Sequence, residues 1–83
     1  EANIYKEYEF IYMENGEMKH GFIDLLMEYD DHFDIIDYKL KHIDDDNYFL
    51  QLSGYRTYLQ SISEKPVKCY LYSLIEARFR EVE

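Results

Sequence analysis

Eighty-three residues make one small domain, 1–83, with ten Tyr and five Phe available for an aromatic core; a chain of this size buries only about 60–65% of its unfolded surface. One cysteine, Cys69, excludes an internal disulfide framework and a thiolate metal cluster, and no apolar run or signal segment points to a membrane or to secretion. A net charge of −9 argues against tight nucleic-acid binding by this chain alone, because phosphate contacts come from Lys and Arg.

Residues 4–14 and 17–28, rich in Tyr, Ile, Phe and Leu, read as two strands joined by Asn15-Gly16, the strongest short hairpin signal. Pairing about that turn makes partner numbers sum to 31 and sets Glu7 opposite Asp24. Residues 32–41 form a third strand, reached through a turn at Asp30-Asp31; partners there sum to 61, which sets Asp24 opposite Asp37. The run Asp44-Asp45-Asp46-Asn47 offers N-caps for a helix over 47–62, with an apolar stripe of Phe49, Leu52, Tyr55, Leu59 and Ile62. Gly54 weakens that helix and permits close backbone approach. Pro66 opens a strand over 67–74, and a last strand covers roughly 77–82. The order β-β-β-α-β, with a further β, predicts an α/β fold: an open mixed sheet with a helix packed on one face.

The two registers converge on a row, Glu7–Asp24–Asp37, across one sheet face, with Lys39 two residues beyond Asp37 on the same side. Opposed carboxylates in a ladder repel, and a hard divalent cation with oxygen ligands would relieve them. Asp24 and Asp37 also sit within apolar strand sequence, where Asp is disfavoured. Glu7, Asp24 and Asp37 are therefore candidate metal ligands, with the carbonyl of Tyr38 as an added backbone oxygen. Lys39 is placed to orient or deprotonate an attacking water or to stabilise phosphoryl oxygens, the requirements of metal-dependent phosphodiester hydrolysis. Gln51 and Tyr55, four apart on the helix, share a side and can bridge to a ligand or phosphate. The plainer alternatives are solvated acids on an open sheet face, a surface Lys39, a core Tyr55 and a helix-surface Gln51.

His20 falls about 13 Å along the strand from Asp24, which makes it a poor ligand; His32 and His42 border turns and read as solvated. No zinc helix motif, phosphate-binding glycine loop or nucleophile–base pair is present in the sequence.

Gly21-Phe22-Ile23-Asp24, then Ile36-Asp37-Tyr38-Lys39, then Gln51-Leu52-Ser53-Gly54-Tyr55, resembles the PD-(D/E)XK nucleases. The closest branch is RecB-like, the C-terminal nuclease domain of AddA/RecB helicase–nucleases, with G-x-I-D, I/V-D-Y-K and Q-x-x-x-Y motifs. Lys6-Glu7-Tyr8-Glu9-Phe10 and Lys65-Pro66-Val67 with Tyr70-Leu71-Tyr72 are similar to its flanking strands, so the likeness spans nearly the whole chain. The resemblance implies a restriction-endonuclease-like core and Mg²⁺-dependent cleavage of DNA, with Mn²⁺ as a substitute. It implies Asp24 and Asp37 as metal ligands, Lys39 as the catalytic lysine, and Gln51 and Tyr55 as the helix motif. Leu40 replaces the Thr usual after D-Y-K, the four cysteines of the iron–sulfur members are absent, and so are helicase motifs and the upstream helical region.

The first residue is Glu rather than Met, so the chain is expected to be a piece of a longer helicase–nuclease, or to work with a partner subunit, on DNA in the cytoplasm at the nucleoid. The competing expectation is a non-enzymatic, acidic, Tyr-rich interaction module, or a nuclease fold that has fallen catalytically silent.

Overall fold

The computed structural model describes residues 2–40, 43–44 and 48–82, with the Phe49 side chain set aside. Six elements follow in order: β1 (Asn3–Glu14), β2 (Glu17–Glu28), β3 (Phe33–Lys39), α1 (Tyr48–Ile62), β4 (Val67–Ser73) and β5 (Arg78–Val82). They form a small mixed α/β domain, a five-stranded sheet in the order β1-β2-β3-β4-β5 with one helix. Only β3 and β4 are parallel, and α1 is their crossover, as a parallel pair requires. Among the described residues no helix is long and apolar enough to cross a membrane.

Turn chemistry fixes the registers. Asn15 and Gly16 both adopt positive φ, 52° and 79°, the pair a type I′ turn demands. The β1–β2 partners accordingly sum to 31, from Asn3↔Glu28 to Glu14↔Glu17. Asp30 and Asp31 form the second bend, closed by the Tyr29 amide donating to the His32 carbonyl at 2.9 Å. The β2–β3 partners sum to 61, as in Leu26↔Ile35. Parallel β4 begins after Pro66, whose carbonyl accepts from the Phe33 amide.

The core lies between the sheet and α1. Ile35 and Leu71 from the central strands meet Leu52, Tyr55 and Leu59 of the helix, spaced three and four apart so that one face is buried. Ile62, expected to extend that stripe, is exposed because it ends the helix beyond the sheet it would cover. The expected N-caps Asp45, Asp46 and Asn47, together with Lys41 and His42, lie outside the described residues. Gly54 does receive a close neighbour: a Cβ there would stand 2.8 Å from the Tyr12 hydroxyl.

Two local features shape the site. Pairing of β2 with β3 stops at Leu25↔Ile36, although β2 continues back to Glu17 beside β1 and β3 continues to Lys39 beside β4. The sheet therefore forks, and residues 8–23 form a two-stranded arm. Such an arm is marginal alone; here Phe10 stacks on Tyr58 and meets the edge of Tyr55, which ties it to α1. Alternation of facing also slips at the fork. Ile23 and Leu26 are both buried although three apart, and opposite them Glu7 adopts a φ of 52°. A left-handed residue on one strand lets both strands change face together.

Candidate functional site

The fork encloses a cleft of about 510 Å³, with Gly21, Phe22 and Asp24 of β2 on one wall, Asp37 and Lys39 of β3 on the other, and Leu50, Gln51 and Tyr55 of α1 above. Five residues singled out in the sequence, Asp24, Asp37, Lys39, Gln51 and Tyr55, thus meet in one hollow from three elements.

Asp24 sits where β2 and β3 part. The departing β3 leaves the Tyr38 amide without a strand partner on that side, and Asp24 Oδ2 accepts its hydrogen bond at 2.9 Å. In an extended strand the amide and carbonyl of one residue point the same way, so the Tyr38 carbonyl also opens toward the fork. The Tyr38 ring is exposed and meets Tyr72 edge-on at 6.1 Å.

Asp37 is only 3% exposed. Burial pushes its carboxyl up to about 6 from the ordinary 3.8, with the Asp24 carboxylate adding to the rise and Lys39 opposing it. Lys39 Nζ lies 2.8 Å from Asp37 Oδ2. The contact is an ion pair rather than a well-aligned hydrogen bond to the buried Oδ2. Lys39 Nζ is aligned instead on Gln51 Oε1 at 3.0 Å and stands 4.4 Å from the centre of the Tyr48 ring. Gln51 then donates from Nε2 to the Tyr55 hydroxyl at 2.8 Å. Burial, and next the Asp37 charge, push the Tyr55 hydroxyl up to about 12, so it stays protonated. Lys39, Gln51 and Tyr55 form a chain in which each polar group fixes the next.

Glu7 does not join them. It lines a separate hollow of about 470 Å³ with Lys6, Leu25 and Tyr38, and Asp24 alone borders both spaces. The 31-sum register holds on either side, at Lys6↔Leu25 and Tyr8↔Ile23, but the expected rung Glu7↔Asp24 is not formed, and the left-handed backbone at Glu7 takes its side chain out of the row. No group of three or more His, Cys, Asp or Glu able to hold a metal ion is formed among the described residues. The three-carboxylate row is thus reduced to two carboxylates.

His20 lines the cleft but engages Glu9 through Nε2. His32, expected to be solvated, stacks on Tyr29 with ring centres 4.3 Å apart. Cys69 is buried, and burial raises its thiol, which removes it as a nucleophile. Phe10, Tyr12, Phe22 and Leu50 complete the walls without having been singled out in the sequence. One signal for Phe10 was present: the 31-sum register sets Gly21 opposite it, and a Cβ on Gly21 would fall 2.7 Å from the ring. The glycine is there to admit the phenylalanine.

No protein-family model matches the chain, and no curated protein sequence matches it.

Proposed function

We propose that this chain is a PD-(D/E)XK nuclease core of the RecB-like branch, with a restriction-endonuclease-like fold, hydrolysing DNA phosphodiester bonds with Mg²⁺ or Mn²⁺. It would act as part of, or beside, a recombination helicase–nuclease in the cytoplasm at the nucleoid. The observation that carries the reading is the convergence of Asp24, Asp37 and Lys39 with Gln51 and Tyr55 in the fork.

The donor set fits a hard divalent cation. Asp37 presents a buried carboxylate oxygen paired with Lys39 but without an aligned hydrogen bond, and Asp24 is near enough to raise the Asp37 carboxyl. Mg²⁺ is commonly held by one or two carboxylates, with water and substrate phosphate completing its shell. Asp24 and Asp37 would hold it, with the Tyr38 carbonyl facing the same opening. When bound, such a cation polarises the phosphoryl oxygen and lowers the pKa of water.

The chain's own residues account for the rest. The Lys39 ammonium, tied to Asp37 and Gln51, stands where negative charge builds on the phosphorane oxygens. Gln51 orients Lys39, and Tyr55 orients Gln51, so the charge is positioned before substrate arrives.

Calorimetry with Mn²⁺ and degradation of linear DNA test this together. Asp24→Ala is expected to abolish Mn²⁺ binding, and Lys39→Ala to cut cleavage about 100-fold or more while metal still binds. Cleavage by Asp37→Ala and Lys39→Ala equal to that of the unaltered chain overturns the assignment. The charge of −9 favours a second reading, an acidic interaction module, and absence of Mn²⁺ binding by the unaltered chain selects it.

A further inference from the structure

Three electron-rich groups surround the Lys39 ammonium. Asp37 Oδ2 lies 2.8 Å away, Gln51 Oε1 accepts at 3.0 Å, and the Tyr48 ring turns its face to the nitrogen with its centre 4.4 Å off. An ammonium carries three N–H donors on a flexible four-carbon stem, so a single partner leaves it free to swing. With three partners the Lys39 side chain is only 20% exposed. A cation within about 6 Å of an aromatic centre is drawn to the ring face, more strongly where water is excluded.

The three neighbours differ in how firmly each can keep the ammonium. Asp37 is also a candidate ligand for a divalent cation, and a cation on its carboxylate would compete with Lys39 for Oδ2. Gln51 turns about its own side-chain bonds and is steadied by the Tyr55 hydroxyl. The Tyr48 ring offers its face whatever occupies Asp37, and it is itself fixed, because it packs against the buried core. It stands on α1 three residues before Gln51 and four before Leu52, so it shares the side of the helix that meets the sheet. Tyr48 is not among the residues lining the cleft, so it acts on anything bound there only through Lys39.

We propose that Tyr48 is a positioning residue, whose ring face holds the Lys39 ammonium in line with Gln51 Oε1. What the held charge is for rests on the nuclease reading; the contact itself does not. The plainer role for the ring, packing on the lysine stem, would be filled by any apolar side chain of similar bulk.

Two substitutions separate these roles. Tyr48→Phe keeps the ring face, and Tyr48→Leu replaces it with an apolar side chain that still packs on the core. Proton NMR of the full chain reads the contact directly, because protons over an aromatic face are shifted upfield. The Lys39 ε-CH₂ signal, identified by its absence from Lys39→Ala, is expected upfield of the other lysines in the unaltered chain and in Tyr48→Phe. In Tyr48→Leu it is expected to fall among them. An unshifted signal in the unaltered chain overturns the proposal, whether or not the chain cleaves DNA. With linear DNA and Mg²⁺, Tyr48→Leu is expected to lower kcat about tenfold with KM unchanged, while Tyr48→Phe retains full activity. Undiminished kcat in Tyr48→Leu overturns the proposal, since packing alone would then suffice. An equal loss in both variants overturns it too, by assigning the effect to the hydroxyl. If the unaltered chain cleaves no DNA and the upfield signal is present, the nuclease reading falls and the placement of Lys39 by Tyr48 stands.

Discussion

The two ends of β2 carry the same strand in different company. From Leu25 to Glu28 it lies between β1 and β3, and its Leu26 faces Ile35 in a fully apolar layer beneath α1. From Glu17 to Asp24 it has β1 alone, and the space β3 vacates is lined by Asp24, Asp37, Lys39 and Gln51. The paired end is held by burial, which is non-directional and tolerant of detail. The forked end is held by a few aligned polar contacts around a carboxylate whose charge the fold disfavours. Stability and chemistry have been allotted to opposite ends of one strand, and substitutions at the two ends should differ in sign as well as size.

The largest effect belongs to the paired end. Ile35 is fully buried, and Ile35→Ala leaves a cavity the neighbouring strands cannot close, at a cost of about 3–4 kcal/mol. Against a total of roughly 5–15 kcal/mol for a domain, that removes much of the margin. A urea titration should show a large fall in midpoint with unchanged slope. A loss under ~1 kcal/mol would mean the layer repacks freely, and the contrast between the two ends would fail.

Asp37 should behave in the opposite way. Its carboxyl is raised in the folded state, so between pH 3.8 and about 6 the folded chain holds a proton the unfolded chain has released. Stability then falls as pH rises through that window and stays lower above it. Asp37→Asn removes the disfavoured charge and should stabilise the domain by about 1 kcal/mol at pH 7.5, a gain that shrinks toward zero near pH 4. That figure is discounted from the ~1.4 kcal/mol per pKa unit because the cleft is open to water. The same substitution should abolish Mn²⁺ binding. Thermal melts across pH check it; destabilisation at pH 7.5 would show that the Lys39–Asp37 ion pair outweighs the burial of its charge.

How far the sequence disclosed this arrangement differs between residues. Both registers were legible because Asn15-Gly16 and Asp30-Asp31 are turn chemistry with few alternatives, and a turn fixes every rung after it. Where a ladder stops is not encoded in its register, so the fork was invisible, and with it the role of Asp24 as acceptor for the Tyr38 amide. The facing of Glu7 was misjudged for a related reason. Left-handed backbone at a glutamate carries no local signal of the kind Gly or Asn gives, and one such residue reverses the alternation that assigns faces. Gln51 and Tyr55 were placed on the right side by helical spacing alone, and their contact is local to α1. For Phe10 the sequence carries one signal, Gly21 opposite it, where a large ring needs room.

The smallest effect tests how the arm is attached to the rest of the domain. With no β3 beside it, the arm reaches α1 through its aromatic side chains, and Tyr12 makes its closest approach at Gly54. Gly54→Ala alone combines a helix-propensity gain of about 1 kcal/mol with a Cβ that would stand 2.8 Å from the Tyr12 hydroxyl. The hydroxyl is the tip of a long side chain and can shift at modest cost, so the net change should lie near zero or slightly destabilising. In a Tyr12→Phe background that obstacle is absent and the propensity gain should emerge, making Gly54→Ala stabilising by about 0.5–1 kcal/mol. The double-mutant cycle should therefore return a coupling of roughly 1 kcal/mol. Coupling indistinguishable from zero would mean that Tyr12 moves aside freely, leaving Phe10 and the Tyr8–Tyr58 hydroxyl contact to hold the arm against the helix. The wall of the cleft that carries Phe22 would then be set by Phe10 and Gly21 rather than by the helix backbone.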